Sequence, residues 1–118
     1  MRVRFDTEHN KVVDTSYNVV TVGANYTVDI LDDLVAVTTI GVVVTLPLIA
    51  ASQQKPYIIV NKSAGNITVQ VQAPDLAANW VSPVVLATLT CGEFIHDSNL
   101  LTPNALNQIT GNWLRVRA

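Results

Sequence analysis

VVVTLPLIAASQQKPYIIVNKSAGNITVQ, residues 42–70, holds two charged side chains, Lys55 and Lys62, and no acid. Successive side chains of an extended chain point to opposite sides, so Val42, Val44 and Leu46 share one face and Val43 and Thr45 the other. Both faces are mostly apolar, and both need cover. In 66–72 the alternation is sharper: Ile67, Val69 and Val71 oppose Asn66, Thr68, Gln70 and Gln72. One side suits a core and the other an uncharged interface or water. Between these runs Pro47 ends a strand, and 48–55 suits a loop or one short helical turn. Pro56 then restarts extended chain.

The rest of the chain follows the same grammar. Short β-branched runs bounded by Gly, Pro, Asn and Asp recur, and no segment carries apolar residues at helical spacing over three turns. The reading is all-β, with strands expected at 3–6, 18–22, 26–31, 34–39, 42–46, 57–61, 66–72, 84–89, 93–96 and 112–117. Asp32-Asp33 and the NKSAGN segment (61–66) read as hairpin turns. Segments 73–82 and 97–109 read as loops, and Trp80, Leu100 and Leu101 make them candidate contact surfaces. The expected fold is a single compact β-sandwich or β-prism-like domain over 17–118, preceded by an extended N-terminal arm, 1–16.

Composition bounds the function. One domain is all that 118 residues allow. The chain is 49% apolar and 14% charged, against roughly 25% charged in ordinary soluble domains. That imbalance favours burial against a partner chain. Polar residues break every apolar run well short of a membrane span. No apolar segment follows the charged start MRVRFDTEHNK, so no signal peptide is expected and a cytoplasmic site of synthesis is. Cys91 is the single cysteine, and reads as a small buried hydrophobe. Residues 1–11 carry three bases and two acids, and Arg115 and Arg117 close the chain. The stretch between sets Lys55 and Lys62 against seven acids. So acidic a body is a poor partner for nucleic acid, while basic ends suit a neighbouring subunit.

Catalytic chemistry finds little to work with. Adjacent Asp32 and Asp33 would point apart in a strand and fit turn roles better than a glycosidase pair. Asp29 could pair with Asp75 or Glu93 only through tertiary proximity. His9 falls in the arm, and His96, beside Asp97, reads as a surface histidine. Tyr26, Tyr57 and Trp113 occupy strand positions expected to pack, which leaves Trp80 as the ring free to stack on a sugar. No catalytic residue, metal or cofactor is expected.

The motifs fall in a telling order: Tyr26-Thr27-Val28, Asp32-Asp33, Val44-Thr45-Leu46-Pro47, Lys55 with Tyr57-Ile58-Ile59, Asn61-Lys62, Ile67-Thr68-Val69 and Gly111-Asn112-Trp113. Over residues 17–116 this order resembles a β-module of phage virion proteins, found in trimeric capsid decoration or cement proteins and in tail fibre or tailspike β-domains. Three features depart from that pattern: Gln54 before Lys55, no Gly-rich turn around Trp80 and Pro83, and the insertion at 100–110. The resemblance implies a homotrimer whose sister subunits cover the uncharged faces of 42–70.

Within that family the expected role is a decoration protein on the outer capsid, with the major capsid protein as partner. The chain starts at Met and closes its module at Arg117, which leaves no shaft or head. The alternative is a head-fibre or tail-fibre module that binds host polysaccharide. Arg2, Val3, Arg4 and Phe5 alternate as an edge strand fit to join another chain's sheet. With Trp80, Leu100, Leu101, Arg115 and Arg117 they make up the expected interface.

Overall fold

The structure is a computed structural model, and it describes residues 2–6, 11–53, 55–96, 102–103 and 109–117. These residues form strands and turns, with no helix among them. In chain order the strands are β1 (Arg2–Asp6), β2 (Lys11–Ser16), β3 (Val19–Val22), β4 (Tyr26–Thr27), β5 (Leu34–Val37), β6 (Val43–Thr45) and β7 (Tyr57–Asn61). They continue with β8 (Ile67–Gln70), β9 (Leu76–Ala77), β10 (Val84–Leu86), β11 (Cys91–His96), β12 (Thr102–Pro103), β13 (Ile109–Thr110) and β14 (Asn112–Arg117).

Two sheets form the body. One has the order β3-β5-β7-β11-β14-β9 and the other β10-β8-β6-β4. From β3 to β8 the chain changes sheet at every connection, and β3, β5 and β7 lie parallel, as do β4, β6 and β8. The first half of the domain is thus a flattened coil. β10 and β11 then run antiparallel to β8 and β7, and β14 runs antiparallel to β11. Backbone hydrogen bonds extend the ladders past the strand ends, as from Val28 N to Thr45 O and Lys62 N to Val37 O.

The core lies between the sheets and follows the pairing register. Val20, Val35 and Ile59 stand in one inward row, and Val22, Val37 and Asn61 in the next. Opposite them Tyr26, Val44 and Val69 line up. Tyr57, Phe94, Leu86, Ile49 and Trp113 fill the remaining space, all essentially inaccessible to water. Tyr57 meets Trp113 edge to face, with ring centroids 5.6 Å apart. Gly92 permits this packing, since a Cβ there would lie 2.8 Å from the Phe94 ring.

The strands at 57–61 and 112–117 match the sequence reading in full, and Val44 and Ile67 face inward as alternation requires. The two expected hairpins are crossovers instead. Asp32-Asp33 lies between β4 and β5, and NKSAGN between β7 and β8, and each pair belongs to different sheets. Asn, Asp and Gly suit both kinds of turn, so local sequence does not distinguish them. The 48–55 loop contains one helix-like turn, closed from Ser52 N to Leu48 O. The 73–82 segment contributes edge strand β9, parallel to β14. Residues 2–6 and 11–16 form a two-stranded antiparallel ladder, β1 with β2.

Val44 is fully buried at the centre of its sheet. Val44→Asp should place an unpaired carboxylate there at a cost of several kcal/mol, comparable to the whole stability of a small domain. The expected outcome is an unfolded or insoluble chain by circular dichroism and expression assay.

Candidate functional site

Two features stand out from the body: a polar network where the coil crosses between sheets, and the outer surface of the six-stranded sheet.

The network surrounds Asp32 and Asp33, both buried. Asp32 Oδ2 accepts from the Tyr26 hydroxyl at 2.5 Å and from Asp29 N at 2.9 Å. Asp33 Oδ2 accepts from Asn18 N at 2.7 Å, and its Oδ1 accepts from Lys55 Nζ at 2.6 Å. Lys55 also donates to Asp32 O at 2.8 Å and sits 4.9 Å from the centre of the Tyr57 ring. The Tyr57 hydroxyl in turn donates to Ile30 O at 2.9 Å. Strands β3, β4, β5 and β7 are thereby tied together at one end of the coil.

Electrostatics follow from this geometry. Burial alone would raise the Asp33 carboxyl, but hydrogen bonds from Lys55 and Asn18 outweigh it and hold the pKa at about 2. Burial also opposes the Lys55 charge, yet Asp33 raises its pKa above the ordinary value. Burial, then the Asp32 carboxylate, pushes Tyr26 up to about 12. Both carboxylates are engaged in holding backbone and side chains in place, which is a structural use of the Asp pair.

A second polar knot stands at the opposite end. Asn61, fully buried, donates to Gly65 O and Leu86 O, while its Oδ1 accepts from Ser63 N and the Ser63 hydroxyl. The nearby turn carries Leu89 at a φ of 61°, an uncommon conformation for a residue without glycine's freedom. Leu89 and Ile40, 82% and 59% exposed, mark this end as an apolar tip.

The outward face of the six-stranded sheet is largely apolar and half-buried. Its rows read Val19, Leu34, Ile58, Glu93 and then Thr21, Ala36, Val60, Cys91. Ile95 and Leu114 lie opposite each other on the next pair of strands. Val19 and Val116 are each 55% exposed, and Glu93 is the one carboxylate on this face among the described residues. The smaller sheet turns outward a different surface of Thr45, Gln70, Thr68, Val43 and Val85, with Gln70 Nε2 donating to Thr45 Oγ1 at 3.1 Å.

The residues singled out from sequence fall in several places. Arg2, Val3, Arg4 and Phe5 lie on β1, paired with β2. Leu100 and Leu101 lie outside the described residues. Arg117 stands opposite Glu93 in the ladder, and Arg115 opposite Phe94. Trp80 packs on Phe94 with ring centroids 5.0 Å apart, and its indole N–H donates to Trp113 O at 2.9 Å. Its neighbour Asn79 exchanges two hydrogen bonds with the Arg115 backbone, at 2.8 and 2.9 Å, extending β9 by side chain. Trp80 and Asn79 therefore secure the closing strand.

His96 is buried, against the surface position its residue type suggests, because β11 alternation sends Gly92, Phe94 and His96 inward together. Lys55 reads in sequence as one of two ordinary charges, and its burial with Asp33 had no signal beyond the scarcity of charge around it. The motif residues Tyr26, Asp32, Asp33, Lys55, Tyr57, Asn61 and Trp113 are those that hold the coil together. No family model, curated protein or solved structure matches the chain.

Asp33 gives the network a pH signature. Its folded pKa is depressed, so the ionised form's contribution is full above the usual value of 3.8 and lost as pH falls towards 2. The loss should be on the order of 2 kcal/mol. Asp75, whose pKa is raised by burial, works in the opposite sense. Urea titrations of the wild type and Asp33→Asn across this window should therefore show an acid-dependent loss that the variant lacks. Lys55→Met, which takes the Lys55 ammonium away from buried Asp33, should cost up to about 3–5 kcal/mol.

Proposed function

We propose that this chain is a phage virion structural protein, a decoration or cement protein that binds the outer capsid as a homotrimer and stabilises the shell. The observation that carries the reading is the apolar outer face of the six-stranded sheet. Five strands of four to six residues, spaced ~4.8 Å apart and about 15 Å long, give this face a footprint of roughly 350 Å², with the two-residue β9 at its edge. That is the apolar centre of a standard interface of about 800 Å² per partner, with neighbouring loops as its rim.

A threefold ring uses heterologous contacts, so each subunit contributes two different surfaces. The apolar face would meet the uncharged Thr, Gln and Val surface of the smaller sheet on the next subunit. The order of motifs, which resembles trimeric virion modules, supports the same reading. The Leu89 and Ile40 tip is then left for the capsid. A two-stranded ladder is marginal by itself, so β1 and β2 suit docking against a neighbouring subunit or the shell.

Light scattering coupled to size exclusion should return a trimer at micromolar concentration. Ile58→Glu, a half-buried position on the apolar face, should give a folded monomer. A monomeric wild type would overturn the assembly. Deleting residues 2–10 should leave the trimer folded and weaken its co-sedimentation with capsids that lack the protein. If the intact trimer ignores capsids and binds host cells, the receptor-binding reading replaces decoration.

A further inference from the structure

Three buried polar atoms near the end of β11 lack hydrogen-bond partners: Asp75 Oδ1, His96 Nδ1 and Trp113 Nε1. The three residues are at most 3% exposed. They also lie together. His96 and Trp113 meet edge to face with ring centroids 5.4 Å apart, and each stands opposite the other in the β11 and β14 ladder. The parallel pairing of β9 with β14, Leu76 beside Asn112 and Ala77 beside Trp113, brings Asp75 to the Gly111 end of β14, and burial raises its carboxyl while Ile49 N, His96, the Gly111 backbone and the Trp113 indole lower it.

Native interiors seldom leave even one such atom unpaired, and three in one place call for a shared partner. The chemistry of that partner follows from the other contacts. Asp75 Oδ2 already accepts from Ile49 N at 2.8 Å, which leaves Oδ1 as a free acceptor. His96 Nε2 faces Gln53 O at 3.2 Å, and a carbonyl only accepts, so Nε2 carries the proton. In the neutral ring Nδ1 is then an acceptor. Trp113 Nε1 is a donor only. The site therefore presents two acceptors and one donor.

We propose that Asp75, His96 and Trp113 form an internal binding site for a single water molecule. The water donates to Asp75 Oδ1 and to His96 Nδ1 and accepts from Trp113 Nε1, three bonds that match the usual number for a buried water. A metal cation is the wrong guest, because the indole N–H would point its positive end at the ion. No cluster of three or more His, Cys, Asp or Glu suited to a metal occurs among the described residues. The bound water ties the segment before β9 to β11 and β14, and so acts as a structural ligand of the closing half of the domain.

The test uses the wild-type protein. A crystal structure at about 1.5 Å or better should show one ordered water within hydrogen-bond distance of all three atoms. Long-range ¹H–¹⁵N spectra at pH 7.5 should show His96 protonated at Nε2 and bare at Nδ1. The Trp113 indole proton should show a cross-peak to a long-lived water. A direct Trp113 Nε1 to Asp75 Oδ1 bond with no water density would overturn the proposal. So would a His96 Nδ1–H donated straight to Asp75.

Discussion

Parallel strands cannot be joined by a tight turn, so a chain that pairs β3, β5 and β7 in parallel must leave the sheet after each strand and return. Here it returns by way of the second sheet, whose own strands are parallel for the same reason. Every crossing takes backbone through the edge of the core, where an unpaired N–H or C=O costs about as much as a lost hydrogen bond. The buried polar side chains stand at these crossings. Asp32 takes Asp29 N, Asp33 takes Asn18 N, Asn61 binds Gly65 O and Leu86 O, and Asp75 takes Ile49 N. Lys55 is a counterion that, with the Asn18 N–H, favours the charged form of Asp33 there. The rest of the fold depends on these crossings, because the apolar rows line up only if each coil returns in register.

That dependence explains what sequence could and could not disclose. Alternation is a local property, and it located the strands and inward faces of Val44, Ile67, Tyr57 and Trp113 without reference to the rest of the chain. Which sheet a strand joins is not local. Asp32-Asp33 turns the chain with residues that would serve a hairpin equally well, and only pairing between strands far apart in sequence decides the matter. His96 was legible in principle, since it shares the alternation of Phe94, but its residue type argued for the surface. Strand β9 is two residues long and flanked by Asp, Ala and Asn, so it carried no pattern at all. The Trp113 and Asp75 contact spans the whole closing half of the domain and left no trace in any short window.

Charge is distributed to match this division. Three of the body's few charges, Asp32, Asp33 and Lys55, are used internally at one end of the coil. The outer rows of the six-stranded sheet are left mostly to Val, Ile, Leu, Ala and Thr, with Glu93 and Cys91 on β11. A solvated sheet ordinarily alternates apolar inside with polar outside; here β5 and β7 are apolar on both sides, as strands covered on both faces are. β8 on the smaller sheet keeps the ordinary alternation, Ile67 and Val69 inward against Thr68 and Gln70. The two sheets therefore differ in what their outer faces ask for.

The same logic limits where variation can occur without loss of the fold. The outer face of the six-stranded sheet is free to change in hydrophobic detail, because the inward rows alone define the coil. The crossings are not, because each polar side chain there satisfies a particular backbone atom. Substituting Asn61, for example, would remove the side-chain donor of Leu86 O and the acceptor of the Ser63 N–H at once, and leave Gly65 O to the Ser63 hydroxyl. Of the sequence motifs, the polar residues Asp32, Asp33, Lys55 and Asn61 stand at these crossings, and the rest lie in or beside the strands between them. What such motifs identify is therefore a way of coiling a chain between two sheets, and what the coil binds is written on the outer surfaces it leaves free.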